Sequence, residues 1–415
     1  MSFFFTSLDD SLRPRGSRDP LGIELLWSSV GRKMVGNLTT VTSHLDNFIL
    51  TLIGFYLCGN EAQEAPDWEC FERFEQMTSR ARLRLDLPEV IGSRRIKRSS
   101  GFPVFLGGAK EARILDNQRQ AGLWGLYSTA LRSSGLTDES RRLTPVGVEI
   151  TKLFLSKTSG SEWRLALDKK CVQLDLAQLE GVGKWVLGIL QVEGGREKLA
   201  NCLLSGGVTA VAWQGEVFAQ AKSFLQGRTA VPPPREFLAW LTAHSVPLKE
   251  FAGCVRDFDE SLSLAALTFA WLLGSHGRNA TELTSQLAGL SEWPFRDPSL
   301  PDFPGAGFDG QWQKRAGGLR DFCDAMKAKN WRLAIDLLLN HHAEVSKQRG
   351  GVPWCYWEGG LIKVVLNMTP GTLPTASELS SLNFQNWMNS HSNDFFLGSF
   401  LAILNQVDFK KKGIV

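Results

Sequence analysis

The segment that decides the fold covers residues 116–157 and reads DNQRQAGLWGLYSTALRSSGLTDESRRLTPVGVEITKLFLSK. Apolar side chains recur at helical spacing over residues 118–134, and Gly135 follows at a position that favours a helix-ending glycine. A polar turn and a short strand are predicted over residues 138–144. Pro145 suits the first turn of a second helix. The segment is therefore expected to form a helix, a short hairpin and another helix.

This order of elements resembles the end of a winged helix-turn-helix domain, over about 40 of the 415 residues. The run from Arg142 to Gly147 is similar to the strand-to-helix junction that follows the wing. In that family the helix before the hairpin enters the DNA major groove, and the hairpin touches the backbone. The resemblance implies double-stranded DNA as the partner. It implies that the reading helix carries Arg119 and Arg132 and that the wing carries Arg141 and Arg142.

The positive charge of the chain is concentrated in one segment. The whole chain has a formal net charge of +3, whereas residues 80–119 contain ten Lys or Arg and four Asp or Glu, a balance of +6. A basic segment on a nearly neutral protein indicates an anionic partner, most often nucleic acid, although a solvated linker is the alternative. Apolar residues at helical spacing predict a helix over residues 68–84, and residues 88–108 are predicted to be loop or short strand. The candidate phosphate ligands there are Arg94, Arg95, Lys97 and Arg98.

The composition predicts a globular, mainly α protein with several domains. Hydrophobic residues make up 43% of the chain and charged residues 21%, which is the range of folded proteins. A length of 415 residues exceeds what one ordinary core organises. The 14 tryptophans are expected mostly in cores, with a few available for partner contacts.

Breaks in the helical pattern give the expected domain organisation. The triple proline at 232–234 stops a helix and is the best linker candidate. The Pro-, Gly- and Asp-rich residues 291–310 form a second candidate, and a short strand is expected at 359–366. The predicted segments are an N-terminal arm at 1–20, a helical domain with a basic loop at 21–115, the winged-helix module at 116–157, helical regions at 158–230 and 235–290, and a C-terminal helical region at 311–415.

Cysteine usage and hydropathy indicate a cytoplasmic protein without membrane spans. The seven cysteines are scattered and lack C-x-x-C spacing, so they are expected to be single thiols in a reducing compartment. The N-terminus has no basic start followed by an apolar stretch, which argues against a signal peptide. The apolar runs at 45–58 and 262–274 are shorter than the roughly 18 to 20 residues that a bilayer requires. Both are expected to be buried helices.

A second candidate for DNA contact is the run Leu179-Glu180-Gly181-Val182-Gly183-Lys184. It resembles the glycine turn of a helix-hairpin-helix element, which donates backbone N–H groups to a DNA phosphate. The resemblance implies that Lys184 lies beside that phosphate. A plain turn between two helices is the alternative. The run is not a P-loop, because the spacing differs and Trp185 stands where Ser or Thr is required.

The run from His341 to Trp354 contains a further basic candidate. Lys347 and Arg349 precede two glycines and could meet phosphate. His341 and Glu344 are three residues apart on a predicted helix, but no third metal ligand is evident, so no metal site is predicted. The run is similar to segments of uncharacterised proteins encoded in bacterial phage-defence clusters, which implies a role in anti-phage defence.

No catalytic constellation or cofactor motif is recognised. Asp168 precedes two lysines, as in some nucleases, but no partner acid is identifiable. The acidic group at 257–260 lies before an apolar helix, where the helix dipole already favours negative charge. Kinase, Rossmann and G-x-S-x-G patterns are absent from the sequence. No cofactor is therefore expected.

The leading hypothesis is a non-enzymatic, nucleic-acid-associated subunit of a bacterial multi-protein system, with other protein subunits as further partners. One alternative is a metal-dependent nuclease whose carboxylates are assembled only by the fold. That alternative requires Asp168, Asp257 or His341 to converge on one pocket. The other alternative is an interaction scaffold whose winged helix binds protein. It requires Arg141 and Arg142 to face a subunit interface or a carboxylate.

Overall fold

The fold is predominantly helical, with two small antiparallel sheets in the part of the chain that the structure describes. The structure is a computed structural model. It describes residues 19–98, 101–157, 164–168, 173–207, 210–228, 230–289, 300–303, 307–365 and 391–411. The predicted N-terminal arm and the second linker candidate therefore lie mostly outside the described residues. The mainly α fold class is confirmed.

The chain forms two compact units, each made of two separate segments. Unit 1 comprises Met1–Val30 and Pro234–Phe395, and unit 2 comprises Gly31–Pro233 and Phe396–Val415. The boundary at Pro233 lies inside the triple proline, and Pro234 begins a helix, as proline does without losing a helical hydrogen bond. The first helix, α1 (Ile23–Met34), runs across the boundary at Val30.

Unit 2 is built around one helix, α3, which packs against α2, α8 and α9. Its start at Trp68 and its end at Arg84 are those that the sequence predicts, and Asp67 caps it by accepting from the Cys70 N–H. The elements of unit 2 are α2 (Leu45–Cys58), α3 (Trp68–Arg84), α4 (Ser93–Arg98), β1 (Val104–Phe105), α5 (Gln118–Ala121), α6 (Leu123–Ser133), α7 (Pro145–Leu155), α8 (Arg164–Leu167), β2 (Gln173–Leu174), α9 (Leu176–Leu190), α10 (Glu193–Ser205), α11 (Gln214–Leu225) and α17 (Leu397–Lys411).

The polar side chains of α3 hold the irregular segment between α4 and α5. Gln76 both donates to the Gly107 carbonyl (3.0 Å) and accepts from the Gly107 N–H (2.7 Å). Arg80 donates to the Ala112 carbonyl at 2.8 Å. Buried backbone groups outside regular structure need such partners, so these side chains fix the irregular residues that follow β1. This segment forms one wall of the candidate site.

A basic helix, α4, lies where the sequence predicts only loop or strand. The left-handed conformation of Gly92 (φ +77°) precedes Ser93, and a Cβ at Gly92 would lie 2.6 Å from the Ile114 carbonyl oxygen. Ile96 is buried in a small cluster with Val90 and Ile114. This anchor turns the charged residues of α4 outwards. The prediction of loop or strand is wrong for residues 93–98, although β1 is the short strand expected nearby.

Residues 116–157 fold as a helix, a minimal hairpin and a second helix, with two differences from the prediction. Gly122 divides the first helix into α5 and α6. The expected strand is a single bridge between Thr137 and Leu143. As predicted, α7 begins at Pro145, and Thr144 caps it by accepting from the Gly147 N–H. Whether this local order belongs to a winged helix-turn-helix domain stays a prediction.

The break at Gly122 has a specific cause, a buried carboxylate on α3. Glu75 accepts from the Leu123 N–H at 2.6 Å and from the Gln118 side-chain amide at 2.8 Å. A Cβ at Gly122 would lie 2.6 Å from the Glu75 carboxylate. Glu75 therefore caps the start of α6, which lacks a capping side chain of its own.

Unit 1 is a set of helices with one β-hairpin. The strongest pairings are α12 with α13 and α15 with α16. In the hairpin, Cys355 pairs with Val364 and Glu358 with Leu361, and the left-handed pair Gly359-Gly360 makes the turn. The expected strand at 359–366 is thus present at 361–364. The elements are α12 (Pro234–His244), α13 (Lys249–Leu273), α14 (Ala280–Ala288), α15 (Gly310–Lys327), α16 (Trp331–Gln348), β3 (Cys355–Glu358) and β4 (Leu361–Val364).

Two cysteines form a disulfide, which corrects the expectation that all are single thiols. Cys58, the last residue of α2, is bonded to Cys70 in the first turn of α3. A spacing of 12 residues between two cysteines is not a recognisable sequence motif. The pairing therefore becomes apparent only when α2 and α3 are packed together. The free cysteines are Cys202, Cys254, Cys323 and Cys355, and Cys171 lies outside the described residues.

The two apolar runs are buried in helices α2 and α13, as predicted. Throughout the described ranges, no helix combines the length and the apolar character needed to cross a membrane.

Candidate nucleic-acid interface

The α4 helix presents three exposed cations. Arg94, Lys97 and Arg98 are exposed, and no carboxylate within the described residues pairs with them. The fourth predicted ligand, Arg95, instead forms an ion pair with Asp116. Since Ile96 fixes the helix to the unit, the three exposed cations form a charged surface on an anchored element.

A groove of about 380 Å³ lies beside α4. Its walls come from α3, α4 and the start of β1, with Leu179 of α9 at one side. Lys97 of α4 lines it together with Arg80 and Arg84 of α3. Three cations from two helices therefore surround one concave site of the size that small ligands occupy.

Arg80 lies at the floor of this groove and is only 6% exposed. Its guanidinium donates to two backbone carbonyls, those of Ala112 (2.8 Å) and Gln76 (3.4 Å). In the part of the chain that the structure describes, it has no carboxylate partner. Burial lowers the pKa of Arg80 to about 10, so the side chain is still protonated at neutral pH. These two hydrogen bonds engage only two of the five N–H donors of its guanidinium.

The same groove is also lined by an exposed aromatic ring, that of Phe102. Phe102 is 48% exposed, and the peptide bond that joins it to Pro103 is cis. The Arg84 guanidinium lies 5.7 Å from the centre of this ring and also forms an ion pair of 3.2 Å with Glu180. The groove thus combines cations with an aromatic surface. Sites for single-stranded nucleic acid use the same combination, in which cations hold the phosphates and bases stack on the aromatic ring.

The neighbouring cavity has a different character. It has a volume of about 620 Å³ and is lined by Trp68, Phe105, Glu69 and Glu72. Burial raises the pKa of Glu72, and the charge of Glu69 adds to that shift. Two carboxylates would repel a phosphate, so this cavity is the poorer anion site.

A second cluster of cations lies on α5, α6 and the hairpin. The Arg141 guanidinium stacks on Trp124 (4.8 Å), and its Nε donates to the Ser128 hydroxyl at 2.9 Å. Burial lowers the pKa of Arg141, and the nearby charges of Arg119 and Arg132 lower it further. The structure therefore brings together three of the four arginines that the winged-helix resemblance singles out.

Several of these predicted ligands already have partners within the chain. Arg132 forms an ion pair with Glu139 at 2.8 Å, and Arg142 forms one with Asp138 at 3.2 Å. Both pairs are exposed and of the kind worth at most about 1 kcal/mol, so a phosphate could displace them. They nevertheless reduce the free positive charge at the hairpin relative to α4.

The helix-hairpin-helix interpretation of residues 179–184 is wrong. Gly181 and Gly183 lie within the continuous helix α9, which begins at Leu176 after a capping box at Asp175. Their N–H groups lie in the helix interior, beyond the first turn where a helix leaves donors free for a phosphate. A Cβ at Gly183 would lie 3.4 Å from Leu85, which follows α3, and this is an ordinary van der Waals contact. Lys184 is simply an exposed residue of α9.

The candidate at Arg349 is engaged inside unit 1, whereas Lys347 is exposed. Arg349 donates to the Asp19 carbonyl and forms an ion pair with its carboxylate at 3.2 Å. His341 Nε2 is bonded to the Leu21 carbonyl (2.8 Å), and His342 Nδ1 is bonded to the Pro20 carbonyl (2.9 Å). These contacts dock the segment before α1. They give Arg349 a structural role that does not require a phosphate ligand.

The acidic candidates for a nuclease have structural partners. Asp257 pairs with Arg256 at 3.0 Å. The buried Asp259 accepts from Arg235 at 2.7 Å and from Asn393 at 2.8 Å.

His341 lines a cavity of about 200 Å³ whose walls do not include Asp257. Asp168 belongs to unit 2, and the two lysines after it lie outside the described residues. Among the described residues, no group of three or more metal-ligating side chains occurs.

Sequence reasoning missed Arg80, Arg84 and Phe102. The first two are four residues apart on a helix that was correctly predicted, so they share one face. Phe102 directly follows the basic stretch. The available signal was therefore a pair of arginines on a helix face next to an aromatic residue in a basic loop.

Comparisons with protein-family models, with curated proteins and with solved structures found no match to this chain.

Proposed function

We propose that the chain is a non-enzymatic, nucleic-acid-associated subunit of a bacterial multi-protein system, and that unit 2 contacts the nucleic acid. The observation that carries the proposal is the set of exposed cations on α4, Arg94, Lys97 and Arg98, which lack carboxylate partners in the described ranges. Such residues bind phosphates, and they do so without regard to base sequence.

The cluster on α5, α6 and the hairpin supports the same proposal. Arg119, Arg132 and Arg141 add positive charge to the same unit. Duplex DNA is the proposed partner, on the winged-helix resemblance of residues 116–157. The setting in anti-phage defence, with other protein subunits, rests on the resemblance of residues 341–354 alone. A cytoplasmic location belongs to the proposal because nucleic acid is the proposed partner.

The test is binding of a labelled 20-base-pair duplex, by fluorescence anisotropy over a salt series. Charge-driven binding should weaken with salt by a slope of about 0.9 per phosphate contacted. The double variant Arg94→Ala/Arg98→Ala should weaken binding by on the order of 10-fold and reduce the slope by about 2. Lys249→Ala/Lys327→Ala removes two exposed cations of unit 1, so it is the control for net charge and should leave both the affinity and the slope unchanged.

The hairpin variant Arg141→Ala/Arg142→Ala separates this interface from one centred on the wing. Because Arg142 is paired with Asp138 and Arg141 stacks on Trp124, we expect a smaller loss than for the α4 variant. A larger loss for the hairpin variant would make the wing the main contact. Absence of binding even at low salt would contradict the proposal and favour the scaffold hypothesis, which the carboxylate partner of Arg142 supports.

A further inference from the structure

The groove beside α4 is distinct from the exposed face of that helix. Arg94 and Arg98 are exposed and do not line it, whereas Lys97 does. A duplex lying on α4 would leave the floor of the groove, where Arg80 is buried, without an anion. A ligand that reaches Arg80 must therefore be small enough to enter the groove.

The requirement for an anion comes from Arg80. A cation that is 94% removed from solvent is costly unless a charge compensates it, and its two hydrogen bonds within the chain go only to neutral carbonyls. Arg84 and Lys97 line the same groove and add two further cations. Guanidinium groups offer paired N–H donors that match phosphate oxygens.

The requirement for an aromatic group comes from Phe102. Its ring is half exposed and lines the same groove as the three cations. An exposed aromatic ring beside cations is the arrangement on which a base stacks while its phosphate is held. The apolar contacts of Leu83, Val104 and Leu179 complete a surface suited to a flat ring.

We propose that this groove binds a phosphorylated nucleoside, with the phosphate at Arg80, Arg84 and Lys97 and the base against Phe102. The inference goes beyond the proposed function, because this groove is lined by neither Arg94 nor Arg98, the two α4 cations tested for duplex binding. The ligand can come from a single-stranded segment or from a free nucleotide. The chemistry recognised is the same in both cases.

Glu180 gives the proposal a test by gain of binding. Its carboxylate holds the Arg84 guanidinium at 3.2 Å and opposes a phosphate in the groove. Glu180→Gln frees Arg84 and removes a negative charge, so binding should tighten by on the order of 3- to 10-fold. Loss of folding cannot produce this result.

The experiment measures binding of adenosine monophosphate, inorganic phosphate, adenosine and a labelled single strand of twelve deoxyadenosines to the full chain. Adenosine monophosphate or the strand should bind at least about tenfold more tightly than phosphate or adenosine alone, as stacking predicts. Phe102→Ala should weaken that binding by about 10-fold and Lys97→Ala by several-fold. Phe105→Ala is the matched control, since this ring is similarly exposed but lines the neighbouring cavity.

The two ligand sources give different results. Binding of the free nucleotide that depends on Phe102 and Glu180 supports a nucleotide site. Such dependence for the strand alone supports recognition of single-stranded nucleic acid. If neither ligand responds to Phe102→Ala and Glu180→Gln, the inference is overturned. Duplex binding that still depends on Arg94 and Arg98 would then leave the proposed function intact.

Discussion

Glu75 illustrates how a single buried carboxylate organises the fold around it. It is fully buried on α3 and accepts from the start of α6. Burial raises its pKa to about 7, although the hydrogen bonds from Leu123 and Gln118 oppose that shift. A carboxylate with a raised pKa is destabilising when it is charged, so this residue links the stability of unit 2 to pH.

We expect the free energy of unfolding to decrease as the pH rises from about 4.5 through 7. The folded-state pKa lies above the unfolded value, so the contribution of Glu75 is fully present below pH 4.5 and is lost as the pH passes 7. Glu75→Gln keeps an acceptor for the Leu123 N–H and removes the charge. At pH 8 it should be more stable than wild type by about 1 to 3 kcal/mol, because removing the buried charge outweighs the loss of the acceptor for the Gln118 amide. Urea unfolding at pH 4.5 to 8 checks this.

The control for this prediction is Glu111→Gln, which changes an exposed carboxylate of the same unit. Its unfolding curve should follow that of the wild type at every pH. Parallel pH profiles for Glu75→Gln and the wild type would mean that Glu75 does not titrate in this window.

At the scale of the elements, α7 approaches the hairpin through a glycine. A Cβ at Gly147 would lie 2.2 Å from the Leu136 carbonyl oxygen and 3.4 Å from Leu143. The Leu136 carbonyl also accepts from the Thr144 N–H, so it cannot move without breaking the hairpin. Gly147 is the last residue of the run Arg142–Gly147, which carries the winged-helix resemblance. A glycine at this position allows α7 to approach the hairpin closely.

Gly147→Ala should destabilise unit 2 by about 1 to 3 kcal/mol, because the added methyl group overpacks the junction. Gly194→Ala is the matched control. This glycine lies in α10 with open space around it, so alanine should stabilise the protein by about 0.5 to 1 kcal/mol through helix propensity. Thermal unfolding of both variants measures the difference. Equal melting temperatures would contradict the close approach seen at Gly147.

The sequence predicts those elements whose signal is local, and it misses those that depend on distant partners. The start of α3 follows from the cap at Asp67, and the start of α7 follows from Thr144 and Pro145. In contrast, the break at Gly122 requires Glu75, which is 47 residues away. The groove likewise becomes visible only when α3 and the residues after α4 are brought together, because Arg80 and Phe102 share no periodic pattern.

At the scale of the whole molecule, each unit depends on a segment from the other end of the chain. In unit 2 this segment is α17, which packs against α10 and α11. Phe400 contacts Phe218 with ring centres 6.3 Å apart. Gln406 accepts from the Leu45 N–H at 2.9 Å and so caps the start of α2. The last segment is therefore part of the core of unit 2.

Deleting residues 396–415 should prevent unit 2 from folding. The deletion removes the buried apolar side chains Leu397, Phe400, Leu401, Ile403 and Leu404. At roughly 1.5 to 3 kcal/mol for each, the loss is comparable to the whole stability of a domain. Limited proteolysis should then cut residues 31–233 rapidly, and duplex binding should disappear. Deleting only residues 412–415 is the control, and equal protease resistance of the two truncated chains would contradict the prediction.

The docking of the segment before α1 has a consequence for how the protein is made. The Leu21 carbonyl is bonded to His341, which is 320 residues later in the chain. At about 5 to 20 residues per second, a ribosome needs roughly 16 to 64 s to pass from one to the other. During that interval the helices between residues 45 and 225 are already synthesised, while the segment at 19–22 has no docking partner. Residues 19–22 are therefore among the last parts of the described chain to reach their native position.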